Sequence, residues 1–462
     1  MEGMDGLPGG WSWSTLAKAV GPKGIFCDGD WIETKDQDPA GHVRLIQLAD
    51  IGEGTYRDRS SRFLTGDKAT ELGCTLLEEG DVLIARMADP LGRACVFPGD
   101  SHPCVTAVDV CIARPDGELA ENRWLMHSIN APQFRAMVGA QQSGSTRARI
   151  ARSKLGRLPV PIPPLPEQHR IVEKIERLLE ESRTAREALD RIPPLLKRFR
   201  QSVLAKAFRG ELTERDPNDE PAAVLLERIR EERRRKWEEV LRSKGKDPRK
   251  AKYVEPEPQV TSGLPELPEG WVWASVRGVA SAIQYGYTST SGEAEVGPRY
   301  LRITDIHDDK VEWDSVPFCS ITEGDERKYR LETGDIVFAR SGATAGKSFL
   351  IAECPRAVFA SYLIRVRLPP EISPRYLYSF FHSKGYWDQV IFRGNAQPNA
   401  NAQVLGDIVF PVAPLGEQDR IAAKIGTLFA ATEAIDQAVT AALRRAEHVD
   451  QAMLARAFRG EL

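Results

Sequence analysis

The chain has 462 residues, 42% hydrophobic and 28% charged, with a formal net charge of −3. That length exceeds one ordinary hydrophobic core and predicts two or three domains. The composition excludes a disordered, collagen-like or disulfide-scaffold chain. No run approaches the ~18 consecutive apolar residues of a membrane span. The acidic, Gly-rich stretch from Met1 to Gly10 lacks a signal-peptide pattern, so a cytoplasmic protein with no membrane partner is expected.

In chain order, residues 1–155 open with Leu7-Pro8-x-Gly10-Trp11-x-Trp13 and carry short β-rich runs such as Asp81 to Ala85 between Gly- and Pro-marked turns. This is the pattern of a compact α+β domain, with the tryptophans as core anchors. Residues 156–212 read as a helical spacer. Pro159 to Pro166 delays entry into the helix, and Glu167 suits its first turn. Steps of four and three then visit Ile171, Ile175, Leu178, Ser182, Ala185, Leu189, Ile192, Leu196, Phe199 and Val203, and Pro193-Pro194 should kink or split the helix.

Residues 213–263 hold a charged helix, Ala222 to Ser243, preceded by the Pro217 to Pro221 cap and followed by a loose linker. Its basic run Arg233 to Lys236 lies among Glu231, Glu232, Glu238 and Glu239, which favours a solvated, salt-bridged helix over a nucleic-acid contact. Residues 264–405 form a second α+β domain and residues 406–462 a second spacer helix. There the same steps visit Ile421, Ile425, Leu428, Thr432, Ile435, Val439, Ala442, Ala446, Val449 and Met453. Eighteen of these twenty positions are apolar, a coiled-coil signal that predicts two long helices pairing with each other.

The second half repeats the first. Leu7-Pro8-x-Gly10-Trp11 returns as Leu267-Pro268-x-Gly270-Trp271, and Leu77-Glu78-x-Gly80-Asp81 as Leu331-Glu332-x-Gly334-Asp335. Leu165-x-Glu167-Gln168-x-Arg170-Ile171 returns as Leu415-x-Glu417-Gln418-x-Arg420-Ile421, and the block Ala205 to Leu212 as Ala455 to Leu462 with one change. The fold class expected is therefore α+β, with two tandem domains separated by two long antiparallel coiled-coil helices in an internal pseudo-two-fold repeat.

No catalytic constellation stands out. Gly342 to Ser348 has only three residues between its glycines where a phosphate-binding loop needs four, so a Gly-rich hairpin turn is expected. Asp28, Asp30, Glu33 and Lys35 resemble a nuclease carboxylate cluster only in the way short triplets do by chance. The seven cysteines (Cys27, Cys74, Cys95, Cys104, Cys111, Cys319, Cys354) form no C-x-x-C pair, so reduced thiols and no metal site are expected. Segment charges run −6 over 1–150, +6 over 151–212, +1 over 213–263, −2 over 264–405 and −2 over 406–462. Net charge alone does not announce a DNA binder.

The four repeated blocks resemble those of the specificity subunit of Type I restriction–modification systems, over essentially the whole chain and in that family's order. The resemblance implies a non-catalytic chain with no catalytic or metal-binding residues of its own. Each domain would read one half of a bipartite, asymmetric site in double-stranded DNA, and the helices would set the spacing. The implied partners are two methyltransferase subunits, which bind S-adenosylmethionine, and restriction/translocase subunits, which use ATP and Mg. The chain itself would hold no cofactor. Two alternatives stay open: a scaffold or inhibitor of methyltransferase subunits that reads no DNA, and the recognition subunit of a related system with a fused nuclease–methyltransferase.

Phosphates and base edges call for Arg, Lys, Ser, Thr and amide side chains. The loops after the repeated strands supply Arg86 and Arg93 in copy one and Arg340, Ser341, Gly342, Thr344 and Lys347 in copy two. The loops before each spacer supply Gln142, Ser145, Thr146, Arg147 and Arg149, then Arg393, Asn395, Gln397 and Asn399. The alternative for these loops is solvated turns. Helix pairing or partner docking is assigned to Ile171, Ile175, Leu178, Leu189, Ile192, Leu196, Phe199, Ile421, Ile425, Leu428, Ile435, Val439, Val449 and Met453. Exposed heptads of this kind predict a chain that is not monodisperse at micromolar concentration without its partner.

Overall fold

The computed structural model describes residues 7–87, 90–144, 148–256, 263–307, 310–340, 345–390 and 401–462. The chain forms two compact units, Met1–Arg191 with Ala438–Leu462, and Ile192–Gln437.

The first unit contains β1 (Ser12–Thr15), β2 (Ile25–Asp28), β3 (Val43–Ile46), β4 (Arg62–Leu64), β5 (Val82–Ala85), β6 (Ala94–Val96), β7 (Cys104–Thr106), β8 (Val110–Arg114) and β9 (Pro159–Ile162). Four of these form an antiparallel sheet in the order β2-β8-β5-β6, three another in the order β4-β3-β7, and β1 pairs with β9. The central β5 is apolar at every position because both its faces are covered. Val82 and Ile84 join one core cluster, Leu83 and Ala85 another, as the two-residue period of a strand requires.

The second unit repeats this plan with β10 (Val272–Ser275), β11 (Ala282–Tyr285), β12 (Arg299–Leu301), β13 (Ile306–His307), β14 (Lys310–Val311), β15 (Ile336–Ala339), β16 (Ser348–Leu350), β17 (Ala357–Phe359), β18 (Leu363–Arg367) and β19 (Val409–Val412). Its main sheet has the matching order β11-β18-β15-β16. Ile336 and Phe338 enter one cluster and Val337 another.

Among the described residues the four longest helices are α1 (Leu165–Asp190), α2 (Ile192–Ala207), α3 (Ala222–Ser243) and α4 (Leu415–Ala457). The α1–α2 break falls at Arg191, just before Pro193-Pro194, whereas α4 has no internal proline and runs unbroken for 43 residues. The basic run of α3 is paired within the helix, Arg235 with Glu232 and Arg234 and Arg242 with Glu238. Arg233 instead reaches the carbonyls of Arg277, Gly278 and Ala280.

The repeated blocks are structural clamps. Gln168 is fully buried, its Oε1 accepting from Glu121 N at 2.9 Å and its Nε2 donating to Leu119 O and Pro163 O at 2.8 Å. Gln418 matches it, accepting from Ser373 N at 2.9 Å and donating to Ala413 O at 2.8 Å. Trp271 Nε1 donates to Glu417 Oε2 at 2.8 Å. Burial raises the Glu417 carboxyl above its ordinary value, against the pull of that N–H and of Arg420.

Each clamp is closed by the other copy's C-terminal block. In the first unit Trp11, Trp124, Ile171 and Ile175 bury Met453, Ala457 and Phe458. In the second, Phe208 packs edge-on against Tyr376 and Phe380, at 5.2 Å from each. The glycines ending these blocks have left-handed backbones, φ +75° at Gly460 and +70° at Gly210, and their α-carbons lie against Pro8 and Pro268.

The helix pairing departs from a strict heptad. Ile171, Ile175, Ile421, Ile425, Val439 and Met453 are buried, and Leu178, Leu189, Ile192, Leu196 and Leu428 are half-buried. Phe199, Ile435 and Val449, expected in the seam, are exposed instead. Polar contacts are made at or next to the expected positions. There Arg186 pairs with Asp450, and Arg200 donates to Thr432 Oγ1 at 2.7 Å.

Candidate nucleic-acid interface

In each unit a strand-terminal arginine stands at one end of the main sheet, beside described residues that adjoin a polar loop. Arg86, just past β5, forms an ion pair with Asp28 at the end of β2. Its Nε donates to Ile150 O at 3.1 Å and its Nη1 to Val108 O at 3.2 Å. Arg152 reaches the other Asp28 oxygen at 3.2 Å. Two arginines thus share one carboxylate. The loop from Gln141 is closed by reciprocal Ser143–Arg149 backbone bonds of 2.9 Å, leaving Gln142 and Arg149 exposed. Ser145, Thr146 and Arg147 lie outside the described residues.

In the second unit the matching Arg340 follows β15, and its guanidinium lies 5.1 Å from the ring centre of Tyr285, the residue in Asp28's place. Tyr285 Oη accepts from Ala402 N at 3.1 Å, at the start of the helix that follows the second polar loop. Arg340 N donates to Tyr362 O at 3.0 Å, and Tyr362 is 63% exposed. Lys347 is exposed. Ser341, Gly342, Thr344, Arg393, Asn395, Gln397 and Asn399 lie outside the described residues.

Arg93 is turned inward. It is buried, and it donates to Ile51 O and Leu48 O at 2.7 Å and to Pro90 O at 3.0 Å. Its guanidinium is buried as well as bonded to three carbonyls, so Arg93 offers no fork to a phosphate. The sequence reading missed Tyr285 and Tyr362, because only strand pairing shows that they flank Arg340.

The acidic balance of the first domain coexists with a basic sheet end because its acids are used internally. Asp50 accepts from Gln47 N, Arg59 N and Ser60 N within 2.7 Å. Asp81 holds Arg114 at 2.6 Å. The His102 N–H and Arg44 hold the Asp100 carboxyl down at about 2. The suspected carboxylate cluster is likewise dispersed: Asp28 serves Arg86, Asp30 accepts from Thr75 N at 2.9 Å, and Glu33 pairs with Lys35.

Among the described residues no group of three or more His, Cys, Asp or Glu side chains is placed to hold a metal ion, and no helix is long and apolar enough to cross a membrane. The seven cysteines are free thiols, and burial pushes Cys95 and Cys104 up to about 12. β15 and β16 pair antiparallel on either side of the glycine-rich segment, so it joins a hairpin and does not lead into a helix as a phosphate-binding loop does.

Residues 29–192 and 268–445 match the model of the Type I restriction modification DNA specificity domain, and the chain belongs to that family. It is 25% identical over 434 residues to the Type I restriction enzyme EcoKI specificity subunit of Escherichia coli K12, covering 91% of this chain and 82% of that protein. It is 23% identical to the EcoAI specificity subunit of Escherichia coli, covering 97% and 82%. The fold matches the HsdS subunit of Thermoanaerobacter tengcongensis with a TM-score of 0.60 at 20% identity over the whole of both chains. A chain solved in work on assembly and conformational transition of the type I R-M system matches with a TM-score of 0.71 at 19% identity over 99% of each.

Proposed function

We infer that the chain, as the DNA-recognition subunit of a Type I restriction–modification complex, reads a bipartite site with one unit on each half. The observation that carries this is the sheet end present in both units, where a strand-terminal arginine stands beside residues that adjoin a polar loop, Ile150 in the first and Ala402 in the second. Arg86, Arg149 and Arg152 offer phosphate contacts in the first unit, and Arg340 and Lys347 in the second. Exposed Gln142 and the amide-rich second loop supply donors and acceptors for base edges. The differing partners of the two arginines, Asp28 against Tyr285, suit half-sites of different sequence.

The helices set the distance between half-sites and dock two methyltransferase subunits, with restriction/translocase subunits joining them. S-adenosylmethionine, ATP and Mg bind to those partners, and this chain directs their chemistry without catalysing any. The test is single-molecule methylation sequencing of cells with and without this chain, its neighbouring methyltransferase kept. A bipartite adenine-methylated motif that vanishes with the deletion, and whose halves follow exchange of the units, is expected. Unchanged methylation despite stable association with the methyltransferase refutes the reading and indicates a scaffold or inhibitor. The mass of the co-purified partner separates fused from separate nucleases.

A further inference from the structure

The two units differ at one position in a way that opens a cavity. Arg93 and Lys347 are equivalent: Ala85 N donates to Arg93 O as Ala339 N does to Lys347 O, both at 2.9 Å, and Gly92 and Gly346 precede them with φ +76° and +81°. In the first unit the buried Arg93 side chain fills the space beside the turn Leu48–Asp50, bonded to Leu48 O and Ile51 O. In the second unit Lys347 is exposed, and beside the matching turn Ile303–Asp305 lies a cavity of about 350 Å3. Ile303, Ile306, Phe349, Phe381 and Trp387 wall it, and Lys347 also lines it. Ser348 lines it too. That residue is only 6% exposed, and its Oγ has no hydrogen-bond partner among the described residues.

The volume is at the lower end of the ~300–1,000 Å3 range of small-molecule sites. Aromatic walls favour a flat ring, and the exposed ammonium an anion attached to it. We propose that this cavity binds a single nucleotide, its base between the aromatic walls and its phosphate at Lys347. The nucleotide is either an unstacked residue of bound DNA, which rests on the function inferred above, or a free mononucleotide, which does not.

The test is saturation-transfer NMR on the full-length chain with AMP, GMP, CMP and dTMP, and with ribose 5-phosphate as the ringless control. Base protons of at least one nucleotide should receive saturation, and ribose 5-phosphate should not. Trp387→Ala should weaken binding five- to 150-fold, in line with ~1–3 kcal/mol per stacked base. Lys347→Arg keeps the charge but supplies the side chain that fills the first unit, so it should abolish binding. Equal binding by Lys347→Arg refutes the cavity as the site. To separate the sources, 2-aminopurine is placed at each position of the methylated motif. A fluorescence rise on binding that Lys347→Arg removes assigns the DNA strand, and mononucleotide binding without such a rise assigns a free nucleotide. No nucleotide binding at millimolar concentration and no variant-dependent fluorescence overturns the proposal. Persistence of motif methylation in that case leaves the inferred function standing.

Discussion

Replacing Gln418 by Leu keeps a side chain of similar length but removes the amide that joins the start of α4 to the second unit. Two groups then lose their partner, the Ser373 N–H and the Ala413 carbonyl, in a place where Gln418 is fully buried and Ser373 nearly so. An orphaned buried group costs about 1–3 kcal/mol, so the pair predicts about 2–6 kcal/mol. The equivalent Gln168→Leu orphans Glu121 N and Pro163 O similarly, and Leu119 O adds less because that residue is exposed. Global unfolding of a two-unit chain need not be two-state, so the assay is hydrogen exchange read by mass spectrometry. Peptides containing Ser373 should exchange five- to 150-fold faster in Gln418→Leu, using about 1–3 kcal/mol for that N–H alone. Peptides containing Glu121 should respond in Gln168→Leu only. Unchanged exchange at Ser373 in Gln418→Leu, with the variant folded, would show that the repeated Glu-Gln-x-Arg-Ile block does not clamp the helix to its unit.

Gly460→Ala should destabilise more than Gly117→Ala. Both have positive φ, but a Cβ at Gly460 would lie 2.1 Å from Pro8 Cγ whereas Gly117 has nothing within 4 Å; thermal melts of the two variants compare them. Arg93→Ala should lower stability by about 1–3 kcal/mol for each buried carbonyl left unpaired, with no change in the salt dependence of duplex binding. Arg340→Ala should do the reverse, costing under ~1 kcal/mol of stability while reducing the salt slope by ~1. Glu326 is buried, and the hydrogen bond from Arg356, with that from Arg330, holds its carboxyl at about 2 against an ordinary 4.5. A depressed carboxylate stabilises the fold above its unfolded pKa and loses that contribution as pH falls through the folded one. Acid titration followed by circular dichroism should therefore show wild type more stable than Glu326→Gln at neutral pH, with the gap closing between 4.5 and 2.

Much of the architecture is legible in the sequence because it depends on local rules. The duplication is visible as repeated blocks, Pro193-Pro194 breaks the spacer because proline lacks the N–H a helix interior needs, and Ala222 to Ser243 is a helix paired along its own surface. The α+β character follows from apolar runs such as Val82 to Ala85 bounded by glycine turns. The four blocks that carry the family resemblance were legible as motifs but not as clamps, since each clamp closes through residues hundreds of positions apart, such as Trp124 and Phe458.

Which arginines face solvent was decided by tertiary structure alone. Arg93 and Lys347 look alike as cations in equivalent loops, yet the first finds the carbonyls of Leu48 and Ile51 and is buried, while the second stays in water. The physical reason is reach and valence: a guanidinium can donate to several carbonyls at once from one planar fork, and an ammonium is a compact, strongly hydrated charge. Likewise the heptad pattern predicted a seam through Phe199, Ile435 and Val449, but those side chains are exposed, and a polar contact is made next to them, between Arg186 and Asp450. Sequence periodicity determines that helices form and roughly which face is apolar. The packing of helix on helix determines where along that face contact is kept.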